Sequence, residues 1–191
     1  MSKKKYLIQT IVIILLLIIT FVLCIYLHTR RFPYGYKPAR LPVMVSALRS
    51  YALDHEGWLP DDGDSFRSLE LLWPNYLPDP VDLAGISGND KEARRRLPEG
   101  RHLDSNVSSW VYWPGLVAES DQDIAILWEK ESGITFNGFR AEGHAVGFIN
   151  GSWRQIGSDQ WEAFIKEQKR LRETNYEKGR LLKRAASKSV N

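Results

Sequence analysis

The sequence predicts an α+β protein: an N-terminal transmembrane helix, then a helix packed on a small antiparallel sheet of three or four strands. Three observations predict it. Residues 7–27 form an uncharged apolar run, apolar residues from Leu41 onward recur at helical spacing, and short branched and aromatic runs follow, the last broken by Asn150-Gly151.

The run 7–27 is dominated by Ile, Leu and Val and is interrupted only by Gln9, Thr10, Thr20, Cys24 and Tyr26. At ~1.5 Å per residue its roughly 21 residues reach ~30 Å, the thickness of a bilayer's hydrocarbon core. Without water, a backbone there must satisfy its own hydrogen bonds, which a helix does. Lys3, Lys4 and Lys5 precede the run, Arg30 and Arg31 follow it, and Tyr6 and Tyr26 suit the interfaces. A cleaved signal has a shorter core ending in small residues, whereas this run closes on Ile25-Tyr26-Leu27-His28. Lipoprotein processing before Cys24 would meet the bulky Leu23. An uncleaved single span is expected, with 1–6 a short basic cytoplasmic tail. Both flanks are basic, so charge alone does not orient the span. A basic start before a first hydrophobic segment usually stays inside, and long domains cross regardless of charge. The expected location is therefore the inner (cytoplasmic) membrane, with the domain on the periplasmic or extracellular side.

Cys24, within the span, is the only cysteine, which excludes an intrachain disulfide and a cysteine zinc cluster. About 160 residues remain after the span, enough for one ordinary domain. The formal net charge is only +3, and the basic excess gathers near the membrane and in the C-terminal tail. That distribution does not form a nucleic-acid-binding face. The bilayer is the expected partner, together with envelope or secretion-related proteins whose identity the residues do not specify. Seven Trp, eight Tyr and seven Phe supply large packing area to a small core.

Residues 28–40 read as a linker punctuated by Pro33, Gly35 and Pro38. Leu41, Met44, Val45, Leu48, Tyr51 and Ala52 then mark a helix with one buried stripe, ending near Asp54-His55-Glu56-Gly57. Asp61, Asp62, Gly63 and Asp64 make a polar turn, after which Ser65 is placed to cap a short helix bearing Phe66, Leu69 and Leu72. Residues 74–102 read as an extended connection with one helical turn around 91–96. Strands are expected at 110–113, 124–128 and on both sides of Asn150-Gly151, a pair that suits a two-residue hairpin turn with both residues at positive φ. That register sets Phe148 opposite Trp153. The domain is expected to span 41–158, leaving 159–191 as a basic helix with a frayed tail. In that helix Trp161, Phe164, Ile165 and Leu171 share one side.

Asp61, Asp62 and Asp64 offer hard oxygen ligands for calcium, but no acidic residue closes an EF-hand loop, and a solvated turn is the preferred reading. His28, His55, His102 and His144 lie far apart and form no helical pair of metal ligands. Gly85-Ile86-Ser87-Gly88 matches a nucleophile turn only superficially, because no strand and helix flank it. Asn106-Val107-Ser108 and Asn150-Gly151-Ser152 match the short glycosylation pattern, which recurs by chance. No cofactor is expected, with calcium the one alternative.

Three stretches, 47–60, 109–116 and 143–153, in this order behind an N-terminal apolar helix, resemble bacterial prepilin-like or pseudopilin-like proteins. That family carries a late motif of His, nine residues and Asp-Gly. Here Arg140 stands in place of the His, and Asn150-Gly151 in place of Asp-Gly. The resemblance implies a pilin-like α+β fold. The prepilin cleavage signals, a glycine before the apolar helix and a glutamate inside its start, are absent from Lys5-Tyr6-Leu7-Ile8-Gln9-Thr10. The function implied is a non-enzymatic structural or protein-interaction role in an envelope or type II secretion-like assembly. The alternative is a membrane-tethered binding module for calcium or a small ligand.

Overall fold

The computed structural model describes the backbone of residues 3–31, 37–133 and 142–189. It divides into two units, 1–36 and 37–191. The first is helix α1 (Lys3–Arg31). Within it Gln9–Leu27 is long and apolar enough to cross a membrane, and its described apolar side chains are exposed, as a lipid-facing surface requires. The Thr20 hydroxyl donates to the Leu16 carbonyl at 2.8 Å, so this polar group is satisfied inside the helix.

The expected linker is shorter than 28–40. Thr29, Arg30 and Arg31 continue α1, because nothing among them breaks a helix. A 3-10 turn at Lys37–Ala39 leads directly into α2 (Arg40–Asp54). Pro42 sits in the first turn of α2, where its missing N–H costs nothing. The buried stripe is Leu41, Met44, Val45, Ala47, Leu48 and Ala52, and the helix stops where the Gly57 amide turns back to the Ala52 carbonyl at 2.8 Å.

The next helix, α3 (Ser65–Glu70), is capped by Asp64, not by Ser65. The Asp64 carboxylate accepts from the amides of Phe66 and Arg67 at 2.9 and 3.1 Å. Ser65 is the first helical residue, and its hydroxyl accepts from the Tyr112 amide. The stretch 74–102 is also more ordered than a connection. It holds a 3-10 turn at Pro80–Ala84, capped by Asp79, and α4 (Asp90–Arg96), capped by Asn89. Acidic residues begin α4 and three arginines end it, in the sense its dipole favours.

Four strands follow: β1 (Trp110–Tyr112), β2 (Ala125–Glu129), β3 (His144–Phe148) and β4 (Trp153–Ile156). They pair in sequence order and all antiparallel. Leu127 lies opposite Tyr112 and Gly147, while Trp128 lies opposite Val111 and Val146, so the two sets point to opposite faces. An irregularity between Ala125 and Leu127 inserts Ile126 and lets both Ile126 and Leu127 join the larger core.

The larger core lies on the α2 face and gathers Leu41, Met44, Leu48, Leu69, Leu72, Leu77, Leu83, Trp110 and Tyr112. Close contact depends on Gly147. A β carbon there would stand 2.3 Å from Val45 Cγ2.

The opposite face carries Ala125, Trp128, Val146, Phe148 and Ile156, covered by Trp161, Phe164 and Ile165 of α5 (Trp161–Ser189). The boundary expected at residue 158 therefore cuts through a second core. The side chain of Gln168 is buried, accepting from the Ala125 amide at 2.8 Å and donating to the Asp123 carbonyl at 3.2 Å, which fastens α5 across the start of β2. Leu171 packs against the larger core instead of joining its neighbours. The helix continues to Ser189, through the tail expected to fray.

Candidate functional site

The hairpin differs from expectation by one residue. Gly147 pairs with Trp153, and the Phe148 amide donates to the Ser152 carbonyl at 2.9 Å. Residues 149–151 therefore form a three-residue loop in which Gly151 alone has positive φ, at 87°. Gly151 accepts this conformation without the clash a β carbon brings. Since side chains alternate, the shift places the proposed pair on opposite faces: Phe148 is 2% exposed against α5, while Trp153 is 39% exposed on the other side. Arg154 takes the position above Phe148, its guanidinium 4.6 Å from the ring centre. The Asn150 side chain accepts from the Ser152 amide at 2.8 Å, a turn-forming bond. Arg140, the residue standing for the family's histidine, lies outside the described residues.

The acidic turn is engaged in local structure. Asp64 caps α3, Asp61 accepts from the Gly63 amide at 3.2 Å, and the Asp62 amide donates to Ser68 Oγ at 2.9 Å. Among the described residues no group of three or more His, Cys, Asp or Glu side chains is placed to hold a metal. The described histidines also have partners. His55 stacks on Tyr51 with ring centres 3.7 Å apart, His102 lies 2.7 Å from Glu70, and His144 stacks on Trp161 at 3.8 Å with Nδ1 3.0 Å from the Glu129 carbonyl.

Sequence reasoning missed two buried polar knots. Arg40, 3% exposed at the start of α2, makes a two-pronged contact with Asp90 at 2.7 and 3.1 Å and donates to the Gly85 carbonyl at 2.6 Å. Lys37 reaches the same aspartate at 3.2 Å, and Asp82 stands 3.9 Å from Arg40 Nε. Burial pushes the Asp82 carboxyl above the usual carboxylate range, against the pull of Arg40. Losing one partner from such a buried pair typically costs about 3–5 kcal/mol, because the other charge is left uncompensated.

The second knot is Glu129, 1% exposed at the end of β2. Its carboxylate accepts from the Ile86 and Ser87 amides at 3.0 and 3.2 Å and from the Ser87 hydroxyl. Burial pushes this carboxyl up, while hydrogen bonds from Ser109, Ser87 and Ile86 oppose the shift. The Gly85-Ile86-Ser87-Gly88 segment is thus a loop closed onto a strand by a carboxylate. A glutamate following Ile124-Ala125-Ile126-Leu127-Trp128 reads in sequence as a solvated strand end, which is why it escaped notice.

A cleft of about 450 Å³ lies beside α2. Val45, Ala52 and Leu59 line it with Ala118 and Ile149, and Ser46 and Ser50 add hydroxyls. Its walls carry opposite charges. Arg49 donates to the Asn150 carbonyl at 3.3 Å and lies against Gly151, while the Glu119 carboxylate lies against Gly57. Leu53, on its rim, is 85% exposed. Such an arrangement, apolar floor with a few polar groups, suits non-covalent recognition.

No protein family, curated protein or solved structure matches the chain.

Proposed function

We propose that the chain is a single-pass, membrane-anchored, non-enzymatic protein. Its exported, pseudopilin-like α+β domain has a structural or protein-interaction role in a bacterial envelope or secretion assembly. The observation that carries this reading is the combination of α1, whose described apolar side chains are exposed, with a separately cored domain bearing a cleft beside an exposed leucine. The buried polar groups support it as well, since Arg40, Asp90 and Glu129 are engaged in holding α2, α4 and the 85–88 loop together. The N-terminus is cytoplasmic and the domain periplasmic or extracellular in this reading, which rests on the basic start before the span. Because α1 and α2 are separate helices, the reading does not extend to filament membership.

The cleft also favours a second reading, a tethered binding module for calcium or a small ligand. Two measurements on the full chain test the pair. Protein extracted from membranes should keep its N-terminus on sequencing, and a photo-crosslinking residue in place of Ser46 should give discrete protein adducts in intact cells. A chain beginning at or after Cys24, or no adducts, would sink the first reading. Calorimetric titration of the detergent-solubilised chain with calcium should show no saturable heat. A saturable signal would favour the module.

A further inference from the structure

A second hollow, of about 420 Å³, lies at the C-terminal end of α2, and its volume falls within the range of small-molecule sites. It shares only Leu59 with the cleft described above. Three aromatic side chains, Tyr51, His55 and Trp58, line it together with three carboxylates, Asp54, Glu56 and Asp61, and its lining holds no lysine or arginine. The rings are held in place by the protein itself. Tyr51 and His55 stack with centres 3.7 Å apart and planes 2° from parallel, and Tyr76 sets its edge against both, at 5.3 and 6.3 Å. His55 Nδ1 lies 2.8 Å from the Tyr51 carbonyl, which can only accept, so that nitrogen carries the hydrogen. The Tyr76 hydroxyl donates to Asp54 Oδ2 at 3.0 Å and fixes that carboxylate as well.

Two properties select a ligand. Carboxylates without a lysine or arginine beside them favour a cation. They do not converge as a metal requires, since among the described residues no group of three or more His, Cys, Asp or Glu side chains is placed to hold an ion. An aromatic lining instead attracts a large cation whose charge is spread over methyl groups, through the ring quadrupoles and through apolar contact. We propose that this pocket binds a small organic cation of the quaternary ammonium class. Its methyl groups lie against Trp58 and the stacked Tyr51 and His55, and its charge faces Asp54, Glu56 and Asp61. The ligand carries no anion of its own close to the ammonium, because those carboxylates would repel one. The inference rests on the binding-module reading above, and it names the ligand and a site outside the cleft.

The test is calorimetric titration of the full chain in a non-ionic detergent with choline, tetramethylammonium, glycine betaine and calcium. Choline and tetramethylammonium should bind saturably, glycine betaine roughly tenfold more weakly because of its carboxylate, and calcium not at all. Glu56→Gln and Asp61→Asn should each weaken choline binding about fivefold, the worth of one charge at close range in water. The asparagine keeps the acceptor that Asp61 offers to the Gly63 amide. Trp58→Ala should weaken it about tenfold, while Trp58→Phe, which keeps an aromatic face, should retain most of the affinity. Circular dichroism melts confirm that each variant is folded, and the two carboxylate variants decide the matter if Trp58→Ala is not. No saturable binding of choline or tetramethylammonium, equal affinity for choline and betaine, or indifference to both carboxylate changes overturns the proposal. Saturable calcium binding without choline binding would overturn it and leave the binding-module reading standing.

Discussion

The sheet face turned to α2 is buried under side chains drawn from residues scattered over 41–116, whereas the face turned to α5 is covered by one helix that the chain supplies last. On the first side Leu41, Met44, Leu48, Leu69, Leu72, Leu77 and Leu83 are fully enclosed. On the second, Trp113, Trp161, Phe164 and Ile165 are only half-buried, and Gln168 and Arg172 hold α5 down through hydrogen bonds to main-chain groups. The first core is closed by many segments and loses little if one of them loosens. The second depends on one cover, and without it an aromatic surface is open to water.

Removing the cover should have the largest effect. A chain covering 37–158 should aggregate or lose its cooperative transition, because Trp128, Val146, Phe148 and Ile156 are uncovered, whereas 37–175 should remain monodisperse and melt cooperatively. Gel filtration and thermal melts check this. A well-behaved 37–158 would mean that the α5 face is not a core.

Point substitutions sharpen the comparison. Leu48→Ala, on the α2 side, should cost about 3 kcal/mol in urea unfolding, the usual figure for an enclosed leucine. Ile165→Ala, half-buried on the α5 side, should cost about 1 kcal/mol, with much of its area already in water. Equal losses would show that both faces are packed alike.

The hairpin joining β3 to β4 offers a smaller effect. Gly151→Val should cost roughly 1 kcal/mol or more, since a β-branched residue is strained at φ 87° and a β carbon there would also meet the Arg49 guanidinium. Asn150→Asp should be nearly silent in the same melts, because the carboxylate keeps the acceptor for the Ser152 amide.

The smallest effect concerns pH. Burial raises the Glu129 carboxyl in the folded state, so the folded form holds its proton more tightly than the unfolded form does. This group's contribution therefore falls as pH rises from the ordinary glutamate range to the raised folded value, and is constant above it. Asp79, Glu92 and Asp104, held below the usual range, contribute the opposite slope at lower pH. Melts of the parent and of Glu129→Gln across that interval should diverge as pH rises, the parent losing ground. Parallel curves would show that the amides of the 85–88 loop fully offset the burial.

Periodicity made α2 legible, since its stripe of Leu41, Met44, Val45 and Leu48 repeats at one face's spacing. The four strands were legible for a similar local reason. Register was not. Asn-Gly serves both two- and three-residue loops, and only the pairing of Gly147 with Trp153 decides between them. The capping pattern of α4, Asn89 followed by acidic and then basic residues, was present in the sequence but obscured by the prolines and glycines around it. The α5 cover was half legible: Trp161, Phe164 and Ile165 marked an apolar side, but no local pattern says which sheet face it meets. The site was least legible, because the cleft joins Arg49, Glu119 and Gly151 from distant parts of the chain.

The clasp at Arg40 has a mechanical consequence. A pull on the chain ahead of the domain would enter it at Lys37, and within four residues both Lys37 and Arg40 grip Asp90 on α4. The two prongs of the arginine are loaded together, and α4 is in turn tied by the Asn89 amide to the Val107 carbonyl. Tension is therefore spread into the body of the domain before it reaches the first apolar contact of α2. The clasp works as the strain relief on a cable does, so it opposes unravelling of the domain from its N-terminal end.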